Sequence, residues 1–103
     1  MVHTFTRKRI EILLDGPHAT IVIQAVHDAG IDGYTLIPVQ SGAGRGGAWR
    51  EDRVSGAQTK VILITIASAD KADRLIDLLV PILDSHGMLL TMADVQVVRG
   101  ERF

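Results

Sequence analysis

Short aliphatic runs with strand-like alternation flank two stretches of helical spacing along the chain. Arg9 to Leu14 partly alternates and predicts a strand. Asp15-Gly16-Pro17 punctuates it, with Pro17 suited to the first turn of a helix, where no amide donor is needed. Ala19, Val22, Ile23, Val26 and Ala29 then recur at the three-four spacing of one helical face. Gly30 ends that helix and Asp32-Gly33 turns the chain. Tyr34 to Gln40 is the second predicted strand, and Pro38, which cannot donate to a ladder, assigns it to a sheet edge. Lys60 to Ala67 is the third. Ser68 or Asp70 can cap a second helix, whose apolar face is Ala72, Leu75, Ile76, Leu79 and Leu83. Pro81 should kink that helix or end its regular part. His86-Gly87 is a stop signal, Leu89 to Val98 is the fourth strand, and Arg99 to Phe103 is a charged tail.

The order is βαβ, a long connection, then βαβ. This is the split arrangement of an α+β, ferredoxin-like βαββαβ sandwich: a four-stranded antiparallel sheet with two helices on one face. Residues 1–103 form one domain. The free face of such a sheet usually meets water, which demands alternation. The third strand does not alternate: Ile62, Ile64 and Ile66 point one way, Val61 and Leu63 the other. A second covered face implies other copies of the chain, and a symmetric homo-oligomer is the common solution.

Composition sharpens this. Of 103 residues, 47% are hydrophobic, which is rich for a domain with so much surface per volume. No apolar run approaches the roughly 18 residues needed to span a bilayer, and the amino-terminal segment lacks a signal-peptide core, so a cytoplasmic location without membrane insertion is expected. With no cysteine, disulfides, thiolate metal sites and cysteine nucleophiles are excluded. A net charge of -1 gives no global field for nucleic acid. The RNA-recognition fold shares this element order, but it needs aromatics on the central strands, and here those strands are aliphatic.

Ser41 to Gln58 differs from the rest. It holds five of the ten glycines, three arginines and the only tryptophan, and no helical or strand period. A segment of this length between elements is typically functional or disordered. Gly42-Ala43-Gly44-Arg45-Gly46-Gly47 offers backbone donors and a guanidinium to an anion. It is no Walker loop, since Ala48 stands where lysine is required, and no helix follows it as a dinucleotide fingerprint needs. Histidines 3, 18, 27 and 86 have no metal-ligand spacing, so no metal site is expected. Asp70, Asp73 and Asp77 with Lys71 and Arg74 read as a solvated helix face with paired charges. No catalytic constellation is visible, and the protein is expected not to be an enzyme.

Three segments together resemble the PII signalling proteins. Gly33-Tyr34-Thr35-Leu36 followed by Val39-Gln40-Ser41-Gly42-Ala43-Gly44-Arg45 is similar to the end of that family's second strand. Ser55-Gly56-Ala57-Gln58 resembles part of its T-loop, and Val98-Arg99-Gly100-Glu101 its ending. The resemblance implies a homotrimer with adenine nucleotide in the clefts between subunits. It implies a flexible T-loop, here about residues 42–58, that changes shape with ligand and docks on a target protein.

The departures point to a divergent PII-like branch associated with inorganic carbon and carboxysomes. The family's T-loop glutamine, which helps hold magnesium and 2-oxoglutarate, is Gly46, and the lysine after it is Gly47. The family's G-D-G-K is reduced to His86-Gly87-Met88-Leu89, and Val97 replaces a tail arginine. With fewer cations, ADP or AMP is favoured over ATP, with bicarbonate as a possible second effector and no tightly bound cofactor. The resemblance assigns Thr35, Gly42, Gly44, Arg45, Gly87, Met88, Leu89, Arg99 and Arg102 to the nucleotide. It assigns Ser41, Gly42, Arg45 and Lys60 to a small anion such as bicarbonate. Arg45, Trp49, Arg50, Arg53 and Ser55 fall to target docking, on a transporter, an enzyme or a carboxysome component. The rival expectations are a nitrogen-regulatory PII protein sensing ATP and ADP, a small ferredoxin-like enzyme, and a structural trimer of the copper-tolerance type.

Overall fold

The computed structural model describes residues 3–44, 47–50 and 59–98, with Trp49 and Arg50 described by backbone only. Strand β1 (Phe5–Asp15) leads through a 3-10 turn (Gly16–His18) into helix α1 (Ala19–Asp28). Strands β2 (Thr35–Val39), β3 (Ser41–Gly44) and β4 (Gly47–Arg50) follow. Strand β5 (Lys60–Ala67), helix α2 (Ala69–Leu83) and strand β6 (Leu89–Val97) complete the fold. The main sheet has the order β2-β5-β1-β6, and each pairing in it is antiparallel. This is the predicted α+β, ferredoxin-like sandwich. Pro38 sits on the outer strand β2, an edge position where a residue without an amide donor is tolerated.

The core follows from the alternation. Ile10, Ile12 and Leu14 of β1 and Leu63 of β5 are fully buried on one face. Val22 and Val26 of α1, and Ala72, Leu75 and Leu79 of α2, meet them there. Each large aliphatic side chain so buried contributes about 1.5–3 kcal/mol. Thr65 lies on the same face, and its hydroxyl donates to the Gly33 carbonyl at 2.6 Å, which satisfies the buried oxygen and ties down the turn before β2.

The helix ends use the residues that the sequence offers for them. Ser68 caps α2, its hydroxyl accepting from the Lys71 amide at 3.4 Å. Gly30 and Gly87 close α1 and α2 with φ of 80° and 62°, where a side chain would be strained. Beyond each, an amide reaches back five residues: Ile31 to the Val26 carbonyl at 3.1 Å and Met88 to the Leu83 carbonyl at 2.8 Å.

The structure corrects several expectations. Pro17 does lie in the first helical turn, but that turn is 3-10, and the α-helix proper starts at Ala19. Helix α2 continues past Pro81 to Leu83, because Pro81 is in its last turn and only one intrahelical bond is forfeited. The acidic residues of α2 are exposed, but among the described residues no ion pair joins them to Lys71 or Arg74. Part of the segment read as irregular is regular. Ser41–Gly44 and Gly47–Arg50 form an antiparallel hairpin with Ser41 opposite Arg50, Gly42 opposite Trp49 and Ala43 opposite Ala48. The rest of the expected loop lies outside the described residues.

The second sheet face is as apolar as its sequence. The ladders set Ile37, Ile62, Leu13 and Leu89 in one row across all four strands. Ile64 and Ile66 extend it beside Thr35, Glu11, Thr91, Arg9 and Ala93. Ile37 is 41% exposed and Leu89 59% in the single chain. A contiguous apolar surface of this kind marks an interaction face. Four of its charged side chains are paired, Arg9 with Glu11 and Lys60 with Asp15.

Candidate nucleotide and anion site

Most of the described candidate residues converge on one end of the main sheet. Val39, the last residue of β2, stands opposite Lys60, the first of β5, and Lys60 stands opposite Asp15, the last of β1. At the same end β6 begins, with Leu89 opposite Leu13. Gly87 and Met88 therefore arrive at this end from α2, and Ser41 and Gly42 leave it in the hairpin. Gly87 is exposed in its left-handed turn, whereas Met88 is buried against the core.

Local chemistry knits this end together. The Gly16 amide donates to the Thr59 carbonyl at 2.8 Å, fastening the turn after β1 to the root of β5. Lys60 Nζ lies 2.6 Å from Asp15 Oδ1. Lys60, expected as an anion ligand, is thus already engaged by a carboxylate. His18 and His86 meet edge to face with ring centroids 4.8 Å apart. The Ser85 hydroxyl and His86 Nδ1 are 2.9 Å apart, and among the described residues His18 Nδ1 is buried without a hydrogen-bond partner. Sequence spacing held no sign of this histidine pair, since the two residues belong to different halves of the fold.

Thr35 does not join this group within one chain. It opens β2 at the far end, four residues from Val39, or about 13 Å at strand rise. It also lies on the outer strand opposite to β6, so that three strand spacings, about 14 Å across the sheet, separate its strand from that of Leu89. Gly44 is at the hairpin tip, opposite Gly47. Arg45, Arg53, Ser55, Arg99 and Arg102 lie outside the described residues. No group of three or more metal-ligating side chains comes together among the described residues.

Among the described residues, no finished nucleotide pocket is seen at this end. The hollow on the open sheet face there, lined by Glu11, Leu13, Ile62, Leu89 and Thr91, measures about 170 Å³. That falls below the roughly 300–1,000 Å³ of small-molecule pockets. A groove of about 480 Å³ runs outside the helices, but Thr20, Ile21, Gln24, Ala25, Asp28 and Leu78 offer no cation to a phosphate. No described helix is long and apolar enough to cross a membrane.

Comparison with known proteins agrees with the fold. The family model described as nitrogen regulatory protein P-II matches residues 7–102. No curated protein matches the sequence. The solved structure of CPII, a nitrogen regulatory PII-like protein from Thiomonas intermedia K12 bound to ADP, AMP and bicarbonate, superposes with a TM-score of 0.91 at 23% identity. The match covers 100% of this chain and 98% of that one. A PII-like signalling protein from Thermus thermophilus gives 0.81 at 25% identity, covering 97% of each chain. The GlnK–ATP complex of B. subtilis gives 0.61 at 11% identity, over 87% of this chain and 82% of that one.

Proposed function

The chain belongs to the nitrogen regulatory protein P-II family, and from that premise we propose that it is a non-enzymatic, homotrimeric PII-like regulator. Its effector is an adenine nucleotide, AMP or ADP in preference to ATP, held in the clefts between subunits, with bicarbonate as a second ligand. The segment 42–58 carries the signal to a target protein of inorganic-carbon metabolism.

One observation carries this reading: the hairpin root, Lys60 and the Gly87 turn meet at one end of a sheet whose free face is apolar. A trimer that buries that face brings the β2 edge of one chain and the β6 end of another into play. This would reunite Thr35 with Gly87 and Leu89 across subunits, although they are far apart within one chain. The phosphates then meet Gly42, Gly44 and Arg45 from the hairpin, Gly87 from the turn, and Arg99 and Arg102 from the tail. Backbone amides and guanidinium groups are the donors that phosphates favour. The closer fit to CPII, whose structure holds ADP, AMP and bicarbonate, than to GlnK supports the carbon branch. So does Gly46, which stands where the nitrogen regulators carry glutamine.

Binding can move the hairpin loop only if its two states differ in affinity for the ligand. Trp49, the only tryptophan, lies on β4 and reports directly. Its fluorescence is expected to change when AMP and bicarbonate are added together. An emission spectrum that stays constant at saturating nucleotide and bicarbonate would exclude the loop as the responding element.

A further inference from the structure

Asp15 and Lys60 are 45 residues apart in sequence, yet they close the sheet side by side at the root of the hairpin. The Asp15 carboxylate holds the Lys60 ammonium at 2.6 Å, and the two side chains are only 33% and 19% exposed. Both project on the open face with Val39, two residues before Ser41. The β1–β5 ladder already joins the two strands through eight residue pairs, from Lys8 with Ala67 to Asp15 with Lys60, so the pair is not needed for their register.

A carboxylate offers an ammonium group two oxygens and one negative charge in a plane. Bicarbonate offers the same. We propose that Asp15 is an internal competitor for bicarbonate at Lys60, and that its grip on Lys60 sets the bicarbonate concentration to which the protein responds. The inference rests on the nucleotide-and-bicarbonate reading above and adds the residue that tunes it. An incoming anion must take over the ammonium from Asp15, since two negative groups on one cation repel each other. The exchange of partner occurs opposite Val39, where the chain enters the hairpin, so it acts at the root of the segment proposed to signal.

Asp15→Asn keeps the shape and removes the charge. In the full-length protein with 13C-labelled lysine, the Lys60 Cε resonance is followed while bicarbonate is titrated, with AMP present. Asp15→Asn is expected to reach half-saturation at roughly five- to tenfold lower bicarbonate than the unaltered protein, the size of a lost charge-assisted competitor that is partly exposed. Asp15→Glu, which keeps the charge, is expected to stay within about twofold. If the asparagine variant does not fold by circular dichroism, Asp15→Ser is read in its place. Equal midpoints, a higher midpoint without the carboxylate, or no response in any variant overturns the inference. Absence of AMP binding to the unaltered protein instead overturns the nucleotide reading, and the comparison of bicarbonate midpoints without AMP still decides the role of Asp15.

Discussion

Replacing Ile64 by aspartate is expected to split the assembly into single chains. Ile64 lies near the middle of the open sheet face, between Thr35 and Glu11 in the ladder, and takes no part in the core beneath the helices. A carboxylate placed there stays hydrated in a lone chain, but in a closed interface it would be stripped of water. The effective penalty for an unpaired buried ion is several kcal/mol, repeated in each subunit of a symmetric assembly. Sedimentation should therefore fall from three times the 11.2 kDa chain mass to the mass of one chain. Circular dichroism should change little, because Ile10, Ile12, Leu14 and Leu63 pack on the other face. An Ile64→Asp protein that sediments like the unaltered one would mean that this face is not the interface.

Arg99→Ala is expected to weaken AMP binding about ten- to a hundredfold. A charge-assisted hydrogen bond to a phosphate contributes about 1.5–3 kcal/mol, and each 1.4 kcal/mol is tenfold in affinity. Arg99 lies two residues beyond the end of β6 in sequence, in the tail segment that resembles the PII ending. Asp73→Ala, on the solvated face of α2, serves as the control and should leave the affinity unchanged. Equal affinities in the Arg99 variant and this control would remove the tail from the phosphate site.

Periodicity carried most of the architecture. The two helices, the four strands of the main sheet, the edge position of Pro38 and the stops at Gly30 and Gly87 all follow from local chemistry that the sequence displays. The hairpin at Ser41–Arg50 did not, because its strands are joined by backbone hydrogen bonds and glycines leave no side-chain alternation to read. The double-sided character of β5 is visible in Ile62, Ile64 and Ile66 opposite Val61 and Leu63, and that pattern by itself implies an apolar open face. The site was legible in part. Glycine and arginine content marked the hairpin, but the meeting of Lys60 with Asp15 and of His18 with His86 depends on tertiary pairing between distant segments. The separation of Thr35 from Gly87 likewise follows from strand order, which places β2 and β6 at opposite edges.

The proposed nucleotide regulator is tested most directly by calorimetric titration of the unaltered, full-length protein with AMP in the presence of bicarbonate. Saturable binding of one nucleotide per chain is expected, with AMP and ADP each tighter than ATP. No binding heat with AMP, ADP, ATP or cyclic AMP, at more than one temperature, would contradict it.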